Sequence, residues 1–164
     1  MSDKNLFLGA STINSAIIDN ANVIGINFVI GDDKVEIPKY ETAGSACFDI
    51  KAHSIKSATD DTVIYGTGLF LEIPEGYNLK CYIRSGLAFK QGFRLVNSVA
   101  VIDSDYRGEL LIGLIRQHSN NPFPEVGDRI CQGEIQKTIQ ARFMFADELS
   151  ETDRGEGGIG STGK

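Results

Sequence analysis

The sequence predicts an all-β chain, a sandwich or barrel of many short strands. Three observations carry this prediction. Runs rich in β-branched residues recur along the chain, turn signals separate them, and no stretch holds helical apolar spacing over the ten or twelve positions a globular helix needs. Even spacing of short strands is the pattern of sandwiches and barrels.

The elements follow in order. Val23-Ile24-Gly25-Ile26-Asn27-Phe28-Val29-Ile30 reads as a strand and stops at Gly31-Asp32-Asp33. Further strands are expected over 62–73, 79–83, 94–102, 109–115 and 136–145, and the segment 127–132 opens another. Pro74-Glu75-Gly76, residues 103–108 and Ser119-Asn120-Asn121-Pro122 supply the turns. One short helix is expected over 87–91, with Ser85 at its N-cap and Gly92 just past its end. Residues 1–22 are weakly patterned and stand as an N-terminal extension. Residues 23–150 form the β domain, and 151–164 form a polar, glycine-rich arm that stays mobile until a ligand binds it.

At 164 residues and 41% hydrophobic, the chain fits one domain with a core large enough to need no disulfide or metal staple. The net charge of -6 argues against direct nucleic-acid binding through a basic surface, so a polyanionic ligand must be caught by local geometry. Cys47, Cys81 and Cys131 form no CxxC pair and read as buried small hydrophobes of a reducing compartment. His53 and His118 lie far apart without ligand-type neighbours. The N-terminus lacks a signal-peptide core, and no run reaches the roughly 18 apolar residues of a membrane helix. The expectation is a soluble protein without a membrane partner, cytoplasmic, or nuclear or host-intracellular if the source is viral or eukaryotic.

The arm contains two misleading motifs. Gly155-Glu156-Gly157-Gly158-Ile159-Gly160 satisfies G-x-G-x-x-G, and 158–164 nearly completes a phosphate-loop pattern. Both work only between a strand and a following helix, and no helix pattern follows here. Their physics survives: closely spaced glycines let backbone N–H groups converge on phosphate oxygens, Ser161 and Thr162 add hydroxyls, and Arg154 adds a charged fork. Arg84-Ser85-Gly86 is a second anion-type corner. Asp103, at the end of the apolar run 99–102, can orient a water and take its proton. Asp49 is another carboxylate at the end of an apolar stretch, Gln132 offers an amide donor, and Asp128-Arg129 reads as an ion pair at a turn. Together these features suggest a magnesium–nucleotide site attacked by water.

The sequence resembles the homotrimeric dUTP diphosphatases (dUTPases) from about Val23 to Lys164. Five blocks carry the likeness in order: Ser45-Ala46-Cys47-Phe48-Asp49-Ile50, Arg84-Ser85-Gly86-Leu87-Ala88, 101–109, 127–132 and 154–163. The resemblance implies a distorted jelly-roll-type β-barrel, with one short helix and the glycine-rich arm, assembled as a homotrimer with shared active sites. It implies that dUTP is hydrolysed to dUMP and diphosphate, with Asp103 catalytic. The hairpin carrying Asn97 and Val101 would hold uracil, and Tyr106 would pack on the deoxyribose. Arg84, Ser85, Gly86, Gln132, Arg154, Ser161 and Thr162 would clamp the phosphates. Ile159 and Gly160 would belong to the closing lid. Mg²⁺ would be held mainly by the substrate, with Asp49 reaching it through water.

Three residues depart from the family pattern. Ile159 stands where a phenylalanine usually covers uracil, Ile83 where proline is usual, and Cys47 where glycine is common. Two other readings share the scaffold: a nucleotide-occupied binding module without catalysis, and a dCTP deaminase. The arm and the 103–108 block fit the diphosphatase pattern better than the deaminase one.

Overall fold

The computed structural model describes residues 23–117 and 120–159, and in them the all-β expectation holds. Nine strands form two antiparallel sheets. In chain order they are β1 (Asn27–Ile30), β2 (Phe48–Lys51), β3 (Ser54–Ala58), β4 (Thr62–Glu72), β5 (Tyr77–Ile83), β6 (Phe93–Leu95), β7 (Ala100–Ile102), β8 (Glu109–Arg116) and β9 (Arg129–Lys137). One sheet runs β1-β4-β8-β6, with β3 also on β4; the other runs β2-β9-β5-β7. The N-terminal extension over 1–22 lies outside the described residues.

Alternation decides which side chains enter the space between the sheets. In β8, Leu110, Ile112 and Leu114 are buried while Leu111 faces out; in β5, Leu79 and Cys81 point inward. Tyr65, Phe93, Ile50, Leu95 and Ile130 complete a core buried on both sides. Cys81 and Cys131 sit within it, as expected of small hydrophobes, and burial raises the Cys131 thiol well above its usual range. Tyr65 is fully buried only because its hydroxyl donates to the Pro124 carbonyl at 2.7 Å. Burial pushes this phenol up to about 12.

Four expectations change. The run 94–102 is two strands in different sheets, β6 and β7, because Ser98 turns the chain in the left-handed region at φ 62°. β2 and β3 were absent from the sequence reading: each is at most five residues long, and β3 carries the polar Ser54, Lys56 and Ser57. The strand expected over 136–145 instead ends at Lys137, where pairing with β5 stops. Beyond it Ile139, Phe143, Met144, Phe145 and Leu149 are all more than four-fifths exposed. Apolar content marked a strand there, but no strand among the described residues pairs with it.

The helix appears as one wide turn, Gly86–Lys90, with Gly92 closing it at φ 71°. Ser85 does not cap it. The residue itself has helical angles (φ -54°, ψ -38°) and makes no side-chain cap bond. A capping hydroxyl needs an extended backbone to swing back over the first free N–H groups, and Ser85 lacks that geometry.

Candidate active site

The sequence-derived site residues fall into three groups. The first lies on the outer face of the β2-β9-β5-β7 sheet. Asp49 on β2 pairs in register with Gln132 on β9, which pairs with Tyr82 on β5, so the three side chains form one row. Arg84 follows β5 directly, and its Nε donates to Asp49 Oδ1 at 2.9 Å. Arg129, the first residue of β9, donates from Nη1 to Asp49 Oδ2 at 3.0 Å. The Asp49 side chain is only 15% exposed, and both of its oxygens are paired with a guanidinium. Ser85 and Gly86 stand beside this cluster, exposed at the start of the helical turn.

Arg129 departs from the sequence reading, which paired it with Asp128. Asp128 instead accepts the Glu125 N–H at 2.8 Å and closes the turn before β9. That turn frees Arg129 for Asp49. The long-range pairing left no local sequence signal.

The second group is the β6–β7 connection and the corner after it. Asn97 and Val101 are exposed, and β7 is an edge strand. Asp103 follows β7; its carboxylate is exposed and has no hydrogen-bond partner among the described residues. It lines a polar groove of about 1000 Å³ with Glu72, Glu75, Asp105 and Arg107. Tyr106 folds back at this corner. Its N–H donates to the Asp103 carbonyl at 3.2 Å and its hydroxyl donates to the Glu109 carbonyl at 3.0 Å. The hydroxyl end of the ring thus packs closely against Gly108. A Cβ at Gly108 would sit 2.3 Å from the Tyr106 hydroxyl oxygen and 2.5 Å from Cζ. Glycine is therefore required by the ring's position, a role the sequence reading had not given it. The hydroxyl is spent on the backbone, which leaves the ring face and edge to meet a ligand.

Glu109, just beyond, ties the corner to the first sheet. It accepts the Gly68 N–H at 2.9 Å and pairs with Lys56 at 2.8 Å. Burial raises its carboxyl, but the Lys56 and Gly68 donors outweigh burial and hold it below the usual range.

The third group is the arm. Arg154 donates to the Gly157 carbonyl at 2.7 Å, and Ile159 is fully exposed. Gly160, Ser161 and Thr162 lie outside the described residues.

The first two groups do not converge within one chain. Ile102 pairs with Leu79, so Asp103 stands level with Asn78. Arg84 lies six residues further along, about 20 Å away at strand rise. The carboxylate that could activate water and the guanidinium that could hold phosphate therefore mark opposite ends of β5.

Comparison with known proteins supplies the remaining evidence. The dUTPase family model matches residues 33–163. A deoxyuridine 5'-triphosphate nucleotidohydrolase of Fusobacterium nucleatum is 42% identical over 139 residues, covering 83% of this chain and 95% of that protein. One from Roseobacter denitrificans is 44% identical over 138 residues, covering 80% and 90%. Among solved structures, a Staphylococcus bacteriophage 80alpha dUTPase with dUpNHpp superimposes with a TM-score of 0.71 at 22% identity, covering 87% of this chain and all of that one, a likeness of fold.

Proposed function

The chain belongs to the dUTPase family, and on that premise we propose that it hydrolyses dUTP to dUMP and diphosphate. The observation that carries the proposal is Asp103: an exposed carboxylate at the end of β7, unpaired among the described residues, next to a tyrosine ring tied by its hydroxyl to the Glu109 carbonyl. Asp103 accepts a proton from water as the water oxygen bonds to the α-phosphorus. The bond from that phosphorus to the bridging oxygen breaks in line, and diphosphate leaves with the electron pair. The β6–β7 connection with Asn97 and Val101 receives uracil, and the Tyr106 ring packs on the deoxyribose where a 2′-hydroxyl would collide. Arg84, Ser85, Gly86 and Gln132 bind the phosphates. Arg154, Ile159, Gly160, Ser161 and Thr162 close over the nucleotide as a lid.

Mg²⁺ would neutralise charge on the triphosphate. Among the described residues no group of three His, Cys, Asp or Glu side chains could hold a metal ion. Asp49 fits an outer-sphere role: each oxygen already accepts one guanidinium N–H and keeps one lone-pair direction that a metal-bound water could use.

A homotrimer with shared sites is supported by two features of the single chain. Asp103 and Arg84 are too far apart to act on one phosphate chain, so groups from different copies must meet. The five exposed apolar residues over 139–149 have no cover among the described residues, and a second copy would supply one. The test is to incubate the protein with Mg²⁺ and each deoxynucleoside triphosphate and measure pyrophosphate. Release from dUTP alone supports the proposal; ammonia from dCTP, or binding of dUTP without turnover, overturns it.

A further inference from the structure

We propose that Arg107 is a positioning residue for Asp103, a strap that fixes the corner after β7 to the other sheet; this deepens the dUTPase reading and rests on it. The corner is a tight turn, closed by the Tyr106 N–H donating to the Asp103 carbonyl at 3.2 Å. Arg107 lies across it. Its Nη1 donates to the Ser104 carbonyl at 2.6 Å and to the Tyr106 carbonyl at 3.0 Å, bridging the peptide groups on either side of Asp105. Its Nη2 donates to Glu72 Oε1 at 3.5 Å. The other oxygen of Glu72 accepts an N–H of the Asn27 amide at 2.8 Å, and Asn27 and Glu72 are register partners on β1 and β4. Arg107, Glu72 and Asn27 thus connect the corner, at the end of the second sheet, to the first sheet.

Two observations assign this strap to the site rather than to stability. Both side chains of the Arg107–Glu72 pair are half-exposed, and an ion pair so exposed contributes little to folding. Arg107 is also the only cation among the described residues lining the groove, where Glu72, Glu75, Asp103 and Asp105 bring carboxylates together. Like charges crowded on a turn push it open, and a guanidinium bonded to the turn's own carbonyls opposes this. None of the three bonds goes to the Asp103 carboxylate. That carboxylate is left for water while the backbone carrying it is held. Rate is sensitive to such placement: a shift of about 1 Å in a reacting group can cost about a hundredfold.

The full-length protein tests this with dUTP kinetics at saturating Mg²⁺, calorimetry with dUpNHpp and amide hydrogen exchange. Arg107→Gln should lower kcat roughly ten- to hundredfold while the affinity for dUpNHpp stays within about twofold of the parent. Arg107→Lys should recover part of kcat, since an ammonium can bridge the two carbonyls but lacks the fork that also reaches Glu72. Glu72→Gln should lower kcat less than Arg107→Gln does, because an amide oxygen still accepts the Nη2 bond. A double-mutant cycle separates positioning from direct contact. In the Asp103→Asn background, Arg107→Gln should change the residual rate by no more than about twofold. Equal fold-losses in both backgrounds would put Arg107 on the substrate itself and overturn the proposal. So would a kcat like the parent's in Arg107→Gln, or a Tyr106 amide that exchanges no faster in that variant. A parent that leaves dUTP intact, with Tyr106 exchange still faster in Arg107→Gln, would instead sink the activity reading alone.

Discussion

Replacing Gly108 with alanine tests how the sugar pocket is built. The added Cβ would lie 2.3, 2.5 and 2.9 Å from the hydroxyl oxygen, Cζ and Cε2 of Tyr106. Ordinary contact is about 3.5–4.0 Å, so the ring must move by roughly 1 Å or more. It thereby gives up its bond to the Glu109 carbonyl, worth about 0.5–1.5 kcal/mol net. Tyr106 is 44% exposed, so the ring can swing into solvent rather than strain the backbone. The fold should therefore lose no more than about 1.5 kcal/mol, or roughly 3–6 °C in Tm. The effect on selectivity should be larger in kind, because a displaced ring no longer fills the space at C2′ of the sugar. We expect the ratio of kcat/KM for dUTP over UTP to fall at least about tenfold, equivalent to about 1.4 kcal/mol. Kinetics with both nucleotides, run beside thermal unfolding, gives the answer. An unchanged ratio in a folded variant would show that Tyr106 does not read the sugar from this position.

Three further outcomes are expected. Asp103→Asn should lower kcat by about 10²–10⁴ while leaving the affinity for dUpNHpp nearly intact by calorimetry; equal loss of both would make Asp103 structural. Ile159→Phe should lower KM for dUTP, since stacking on a base is worth about 1–3 kcal/mol, and an unchanged KM would remove stacking from the lid. Tyr65→Phe should cost about 1–3 kcal/mol near pH 8 by leaving the Pro124 carbonyl unpaired. Because folding raises the Tyr65 phenol from its usual value near 10 to about 12, its contribution is fully present below pH 10. It is lost as pH rises from 10 through 12. Urea unfolding from pH 8 to 12 should show an alkaline decline in the parent that is reduced in the variant; identical declines would refute the assignment.

The β character of the chain was legible because period-2 burial leaves a trace in sequence, as Leu110, Ile112 and Leu114 in β8 illustrate. β3 escaped notice because an outer strand can be polar on most of its length, and β2 because four residues give too short a pattern. The 136–145 segment misled for a different reason. Its apolar residues promise burial, yet no partner strand among the described residues receives them. The candidate site was legible as a set of residue types, since carboxylate, guanidinium, amide and glycine each announce a chemistry. Their mutual geometry was not. Arg129 meets Asp49 across 80 positions of sequence, and the Ser85 hydroxyl fails as a cap through a pair of backbone angles that composition does not encode.

The span between Asp103 and Arg84 bears on genetics as well as chemistry. In the proposed homotrimer each reaction centre takes its carboxylate from one copy and its guanidinium from another, so no single defect would spoil every centre in a mixed population. A chain lacking Asp103 and a chain lacking Arg84, each inert by itself, should restore partial turnover when refolded together. The length of one strand would then decide which pairs of damaged alleles rescue each other.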